Sequence, residues 1–474
     1  MILRTAWKNV WRNKTRSLVV ISSIVVGVFA GVYSIAFMNG MIVQRVDSAL
    51  SNEVAHIQIN HKNFRSNNDI QDIIQNGDEV YRKIQNTDGV AAISRRTVIT
   101  GMANTASKST GVQVIGVNPD DERNVFKLYD KVIKETGSYL TPEKHNVAFV
   151  GEALAKELNI IRYEINDLVI DSLRKLEIPE EVIGKLEQFK GKRFKNEKLF
   201  FKKVKAELTE KESASFGRHI AKTSQRFRSR AKLTMTFLDK NNDQTGGNFR
   251  IAGLYNLPNN MYEKMQVFVL NEDLKALTGL EAYEYHQYLV KINDTEFTNE
   301  VTQSLRESFL DLEVLNWKEI APDLAMTEDM VTQFYIVFMS IILAALAFGI
   351  LNTMLMVVLE RTKELGMLTA IGMNKRRVFS MIMLESIFLS LVGGVLGMLV
   401  SKIAIDISYA KGLNFANWEE GMEAMGYSSV IYPTIEPYWF VVMGVMIAIT
   451  GMISSIYPAY KALKLDPAEA IRTE

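Results

Sequence analysis

The apolar positions of this chain gather into four long blocks, 17–44, 331–359, 378–401 and 438–460, uncharged but for Glu385 in the third and separated by stretches as polar as a soluble domain. A helix rising 1.5 Å per residue needs roughly 20 apolar residues to cross about 30 Å of hydrocarbon, and each block exceeds that, so each is predicted to span a membrane. A buried core helix would stop after about 10–14 apolar residues and keep a polar stripe, which none of the four does. The first block follows a basic segment, as a secretory signal does. Its apolar run outlasts an h-region of about 7–15 residues, and an uncleaved anchor is expected.

Between 45 and 330 the periodicity changes to that of a soluble α+β domain. Alternation in Val54–Asn60 and Val112–Val117 predicts half-buried strands, and Lys232–Leu238, Phe249–Leu254 and Gln266–Leu270 read as further strands. Asp69–Thr87 reads as a helix ending near Gly89, with Ile70, Ile73, Ile74, Val80 and Ile84 on its apolar side, and Glu152–Leu158 reads as another helix. A basic helical insertion occupies about 161–230: Pro179-Glu180-Glu181 opens one helix, Lys198–Leu208 forms a second and Ser213–Arg230 a third. Its cations could meet anionic headgroups or an acidic partner, but interleaved acids favour a solvated surface elaboration.

The 55 basic and 54 acidic residues nearly cancel, so charge gives no reason to expect nucleic acid as a partner. Their placement is more telling. Arg4, Lys8, Arg12, Lys14 and Arg16 fill segment 1–16; Arg361, Lys363, Lys375, Arg376 and Arg377 fill 360–377; Lys461, Lys464 and Arg472 lie in 461–474. The positive-inside rule puts these three segments in the cytoplasm, and 45–330 and 402–437 outside. Ser23, Gly27 and Gly31 in the first span, Gly393 and Gly397 in the third, and Gly444 with Ala448 in the fourth recur at a spacing that lets helices approach closely. Such contacts are expected within the chain or across a dimer, although glycine is also simply common in membrane helices. Glu385 lies about two turns inside the third span. A proton relay and a structural ion pair both fit an intramembrane acid, and the absence of a chain of partners favours the structural role.

The chain has no cysteine, hence no disulfide, thiolate nucleophile or sulfur metal ligand. G-x-x-x-x-G-K-[ST], H-E-x-x-H and G-x-S-x-G are all missing, and the five histidines are scattered. No catalytic residue, metal site or cofactor is therefore expected on this chain. The informative segment is the loop at 360–377. Leu365, Leu368 and Ile371 fall on one side at helical spacing, and Gly366 and Gly372 permit close contact and a sharp turn. A short helix along the membrane surface is predicted, presenting Glu360, Arg361, Lys363, Glu364, Arg376 and Arg377 to a cytoplasmic partner. A merely topogenic loop would explain the arginines, but not the acids, the apolar side or the glycines.

Here the chain resembles the FtsX-like ABC transporter permease family, which includes the MacB macrolide exporters and the LolC/LolE lipoprotein-release subunits. The resemblance rests on Glu360-Arg361-Thr362-Lys363-Glu364-Leu365-Gly366-Met367-Leu368-Thr369-Ala370-Ile371-Gly372-Met373, on Arg377-Val378-Phe379 with Glu385, on Pro458–Ala462 with Asp466–Arg472, and on the amphipathic lead segment Ala6–Arg16. It implies four transmembrane helices with a periplasmic α+β domain between the first two, in a bacterial cytoplasmic (inner) membrane. It further implies mechanotransmission, in which a separate cytoplasmic ABC ATPase dimer carrying ATP and Mg closes and moves the coupling helix at 360–372. The first two spans would pass that motion to the external domain. A second permease copy or a paralogue completes the expected assembly. Lipoprotein release, or a related outward transport of lipids, peptides or drugs, is the implied activity. The alternative is a non-transporting transmitter that activates an external cell-wall hydrolase, although such members have much smaller external domains. No ATPase domain is fused in this sequence, unlike in the macrolide exporters, and the insertion at 161–230 exceeds what the family leads one to expect.

Overall fold

The computed structural model describes residues 2–194, 197–228 and 231–464. It comprises two compact units: a helical one, built from the chain up to Arg45, Met326–Glu419 and the chain from Ser428 onward, and a sheet-rich one, built from Val46–Ala325 and Glu420–Tyr427.

In the helical unit, four helices are long and apolar enough to cross a membrane: Lys14–Asn52, Pro322–Glu360, Lys375–Lys411 and Pro437–Leu463, here termed the first to fourth long helices. Their ends follow ordinary capping chemistry. Proline opens the second and fourth, where its missing N–H is no loss. The Asn374 side chain caps the third, which stops at Gly412 with φ 69°. The first two helices have 39 residues each, about 58 Å of rise or roughly twice the hydrocarbon thickness. The boundary between the units falls inside both. A lead helix, Ile2–Val10, and a short loop helix, Thr362–Ala370, complete this unit apart from small elements near 413–431.

Glycines decide how closely the long helices pack. A Cβ on Gly393 would stand 2.8 Å from the Cβ of Ile24, and one on Gly397 2.8 Å from that of Val28, so the third helix lies directly on the first. Gly27 faces Leu346 and Gly31 faces Met339 on the second helix. Gly394 meets Ile447, and Gly451 meets Ser390, between the third and fourth helices. Ser386 Oγ donates to the Gly451 carbonyl across that seam at 3.2 Å. Gly444, expected to take part, faces open space in this chain.

The sheet-rich unit contains the strands β1 (Ile57–His61), β2 (Val90–Asn104), β3 (Ser109–Val117), β4 (Val147–Gly151), β5 (Ile161–Glu164), β6 (Arg193–Phe194), β7 (Gln225–Phe227), β8 (Lys232–Leu238), β9 (Gln244–Tyr255), β10 (Gln266–Leu270), β11 (Gln287–Ile292) and β12 (Leu312–Asn316). Nine of them form one sheet in the order β12-β1-β11-β2-β3-β10-β4-β9-β8. β2 forks: Val90–Arg96 pairs with β11, whereas Gly101–Asn104 on the same strand pairs with β8. The run from β2 to β8 therefore closes into a ring, leaving β11, β1 and β12 as an extension. Alternation feeds two cores, with Val267 and Val269 of β10 entering one cluster and Phe268 and Leu270 the other.

Several expectations are corrected here. Only Gly77–Gln85 of Asp69–Thr87 is helical, because Asn76 adopts φ 56° and Ile74 instead bonds to the Tyr285 carbonyl at 2.8 Å. The first long helix runs to Asn52 and Ala55 takes φ 57°, so the strand foreseen from Val54 starts at Ile57. The predicted helix at 213–230 is Glu210–Ser224, opened by a Thr209–Glu212 capping box, after which the chain turns into β7; residues 229 and 230 lie outside the described part. Its neighbour is Glu197–Val204. β5, β6 and β7 make a separate three-stranded sheet that the helical reading of 161–230 missed. That lobe shares a core with the main sheet, Ile165, Leu173, Phe200 and Ile220 joining one cluster with Val112 and Val150.

Candidate coupling site

The loop helix Thr362–Ala370 is short, and its packing shows what it is attached to. Leu365 is buried, Gly366 is buried beside it, and Leu368 packs half-buried on the helical core. Ile371, expected on the same apolar side, is 82% exposed. The helix ends at Ala370, the Ile371 N–H makes a last bond to the Met367 carbonyl at 3.0 Å, and the chain turns away at Gly372 with φ +97°, so Ile371 stands at the exposed helix end.

Three charges of the loop, Glu360, Arg361 and Glu364, are held within the chain rather than presented outward. Arg361 donates through Nη1 to both carboxylate oxygens of Glu385 at 3.0 Å, and through Nε to Glu364 at 3.0 Å. Glu385 is buried on the third helix and also accepts from Asn9 Nδ2 of the lead helix at 2.6 Å. Arg12 pairs with Glu364 at 2.8 Å, and Arg16 pairs with Glu360. The hydrogen bond from Arg12 is the main cause holding the Glu364 carboxyl below the usual carboxylate range, and that from Arg361 adds to it. Arg12 and Arg16 thus tie the 360–364 segment to the lead segment and the start of the first helix, and Asn9 ties the lead helix to the interior of the third. With one guanidinium bridging two carboxylates through different nitrogens, these charge-assisted bonds fix orientation as well as contributing energy.

Lys363, Arg376 and Arg377 are exposed, together with Met367, Ala370 and Ile371. This leaves a surface of cations and apolar tips beside a rigid, ion-paired base. Asn374, which caps the third helix through the Arg376 N–H at 2.9 Å, places Arg376 and Arg377 at the first turn. Asn9, Arg12 and Arg16 escaped the sequence reading as partners of this loop. Their signal was present only as the repeat of polar residues facing one way along the lead segment. The second half of the C-terminal motif, Asp466–Arg472, lies outside the described residues.

Among the described residues no group of histidines and carboxylates is arranged to hold a metal ion. The chemistry available at this site is non-covalent recognition, through exposed cations beside a base held by ion pairs.

Residues 336–467 match the family described as FtsX-like permease C-terminal, and residues 17–228 match the MacB-like periplasmic core domain. An uncharacterized ABC transporter permease of Methanocaldococcus jannaschii is 29% identical over 234 residues, 48% of this chain and 55% of that protein. A macrolide export ATP-binding/permease protein of Bdellovibrio bacteriovorus is 32% identical over 163 residues, 34% of this chain and 22% of that protein. Among solved structures, the periplasmic region of MacB from Actinobacillus actinomycetemcomitans aligns with 60% of this chain and 98% of that chain, at 12% identity and a TM-score of 0.31. The matched stretches span about half the length of the first relative and under a quarter of the second.

Proposed function

We propose that this chain, whose residues 336–467 match the FtsX-like permease C-terminal family and whose residues 17–228 match the MacB-like periplasmic core domain, is the membrane subunit of an ABC transporter that works by mechanotransmission. The observation that carries this reading is the ion-paired joint: Glu364 of the loop helix pairs with Arg12, just before the first long helix, while Arg361 and Glu360, which lead into the loop helix, pair with Glu385 of the third long helix and Arg16 of the first. A cytoplasmic ABC ATPase dimer, which binds ATP and Mg, seats on the exposed face formed by Lys363, Met367, Ile371, Arg376 and Arg377. Its closure pushes the loop helix, and the two 39-residue helices pass the displacement to the periplasmic domain. A stiff helix suits this task, since its hydrogen bonds are internal and its length is set by residue number alone.

The termini then lie in the cytoplasm, as the basic flanks of the spans require. A second copy of the chain or a paralogue supplies the other half of the assembly, matching two ATPase subunits. The cargo class is lipid-anchored protein, or another amphipathic lipid, peptide or drug released outward. No chemical step is needed on this chain, so ATP hydrolysis belongs to the partner.

Purification of the full chain from its native membrane tests the first step, with an ABC ATPase expected to co-purify. Glu364→Lys is expected to uncouple the complex, because it places a third cation against Arg12 and Arg361 and releases the loop from the lead helix. Normal substrate-stimulated ATP hydrolysis together with normal transport in that variant would sink the reading. The cargo is tested separately: depletion should leave lipoproteins retained in spheroplast membranes, and correct sorting without the protein removes lipoprotein release.

A further inference from the structure

A cavity of about 550 Å³ opens between the lead helix and the adjoining ends of the first, second and third long helices. This lies within the range of about 300–1,000 Å³ typical of small-ligand sites. Arg12, Lys14, Arg16 and Arg361 line it, against the two carboxylates Glu360 and Glu385, and with Glu364 pairing Arg12 and Arg361 from beside it one positive charge is left in excess. Its floor is different: Val20, Met354 and Leu389 are apolar and buried. A site with a cationic rim and a hydrocarbon floor is built for an amphipath with an anionic head.

The depth of the cavity says which amphipath. Along the lead helix Leu3 and Trp7 are exposed on one side, with Trp11 just beyond its end, while Ala6 and Val10 are buried on the other. Exposed tryptophan beside leucine, with Arg4, Lys8 and Lys14 interleaved, is the pattern of a helix lying at the headgroup level of a bilayer. The cavity therefore opens where phosphate groups are concentrated. Basic pockets between membrane helices on this side are suited to anionic headgroups. The rim also has capacity left over. Arg12, Arg16 and Arg361 each hold a carboxylate, whereas Lys14 makes no ion pair among the described residues.

We propose that this cavity binds one anionic phospholipid from the surrounding leaflet, with its phosphate at Lys14 and the Arg12–Arg16 rim and the start of an acyl chain over Val20, Met354 and Leu389. The bound lipid neutralises the excess positive charge beneath the loop helix and fills the space between the lead helix and the second long helix. The assignment requires only that the long helices cross a membrane, and it stands whether or not an ATPase seats on the loop.

Native mass spectrometry of the full chain, delipidated in mild detergent and titrated with defined lipids, tests this. Phosphatidylglycerol is expected to be retained at least about tenfold more tightly than phosphatidylcholine, with millimolar inorganic phosphate failing to displace it. Lys14→Gln should weaken phosphatidylglycerol about fivefold, the effect of one cation near an anionic surface, and Lys14→Arg should restore it. Lys402→Gln, on the same helix as Glu385 but outside the cavity, should change nothing. Equal retention of the two lipids overturns the proposal, as does an equal loss in the Lys14→Gln and Lys402→Gln variants. Displacement by inorganic phosphate at matched concentration would reassign the cavity to a free anion.

Discussion

Arg361 stands between two carboxylates, Glu364 and Glu385, and is only 11% exposed. Removing it as Arg361→Ala leaves Glu385 buried with Asn9 still donating to it, whereas Glu385→Gln leaves Arg361 still bonded to Glu364. Breaking a buried pair from the side that strands a charge costs about 3–5 kcal/mol. Arg361→Ala should therefore lower the thermal midpoint in detergent much more than Glu385→Gln, and equal shifts would show that the pair is solvated. A second residue gives a pH prediction. His286 is fully buried, its Nε2 donating to the Ile70 carbonyl at 3.0 Å and its Nδ1 accepting from the Val98 N–H at 3.2 Å. That arrangement needs neutral imidazole, and burial pushes its pKa down to about 4. Since the unfolded chain titrates near 6.5, it takes up the proton first as pH falls. The contribution is complete above about pH 6.5 and is lost towards pH 4, so the domain should be about 2 kcal/mol less stable at pH 5 than at pH 7 from this group. His286→Gln should flatten that dependence in urea unfolding followed by near-ultraviolet dichroism. An unchanged slope would mean that another group carries it.

At the scale of elements, the small residues that looked alike in sequence separate into two kinds. Gly393→Ala and Gly397→Ala each gain about 1 kcal/mol of helix propensity. They also drive a Cβ to 2.8 Å from the Cβ atoms of Ile24 and Val28, which cannot move without their backbone. Overpacking of this kind typically costs about 1–3 kcal/mol, so both should lower stability. Gly444→Ala meets nothing within 4 Å in the chain and should be neutral or stabilising in a thermal-shift assay of the isolated chain. The same distinction explains what the loop pattern concealed. Helical periodicity correctly grouped Leu365 with Leu368, but extended the stripe to Ile371, which sits at the helix end directly before the turn at Gly372 and is exposed. Likewise the spacing of Ile70, Ile74 and Val80 fits a helix, and competition from Tyr285 for the Ile74 N–H won over it.

For the whole molecule, the lobe at 161–228 is part of the core of the sheet-rich unit, since Ile161, Tyr163, Leu173 and Phe200 share one apolar cluster with Ile99, Val112 and Val150. Excising it should expose that cluster and reduce the yield of folded protein, measurable by size-exclusion chromatography; a soluble, monodisperse deletion would show the lobe to be an appendage. The four membrane helices and the α+β character of the domain were legible from the chain alone. Transfer from water to hydrocarbon and the alternation of half-buried strands depend on residue types in one continuous segment. What only the tertiary structure decided were pairings between distant positions: β2 dividing its edge between β11 and β8, Gly397 against Val28, Arg12 against Glu364 and Asn9 against Glu385. The last two join residues separated by 352 and 376 positions. No local periodicity carries that information, because the free energy that selects such partners exists only once the helices between them have packed.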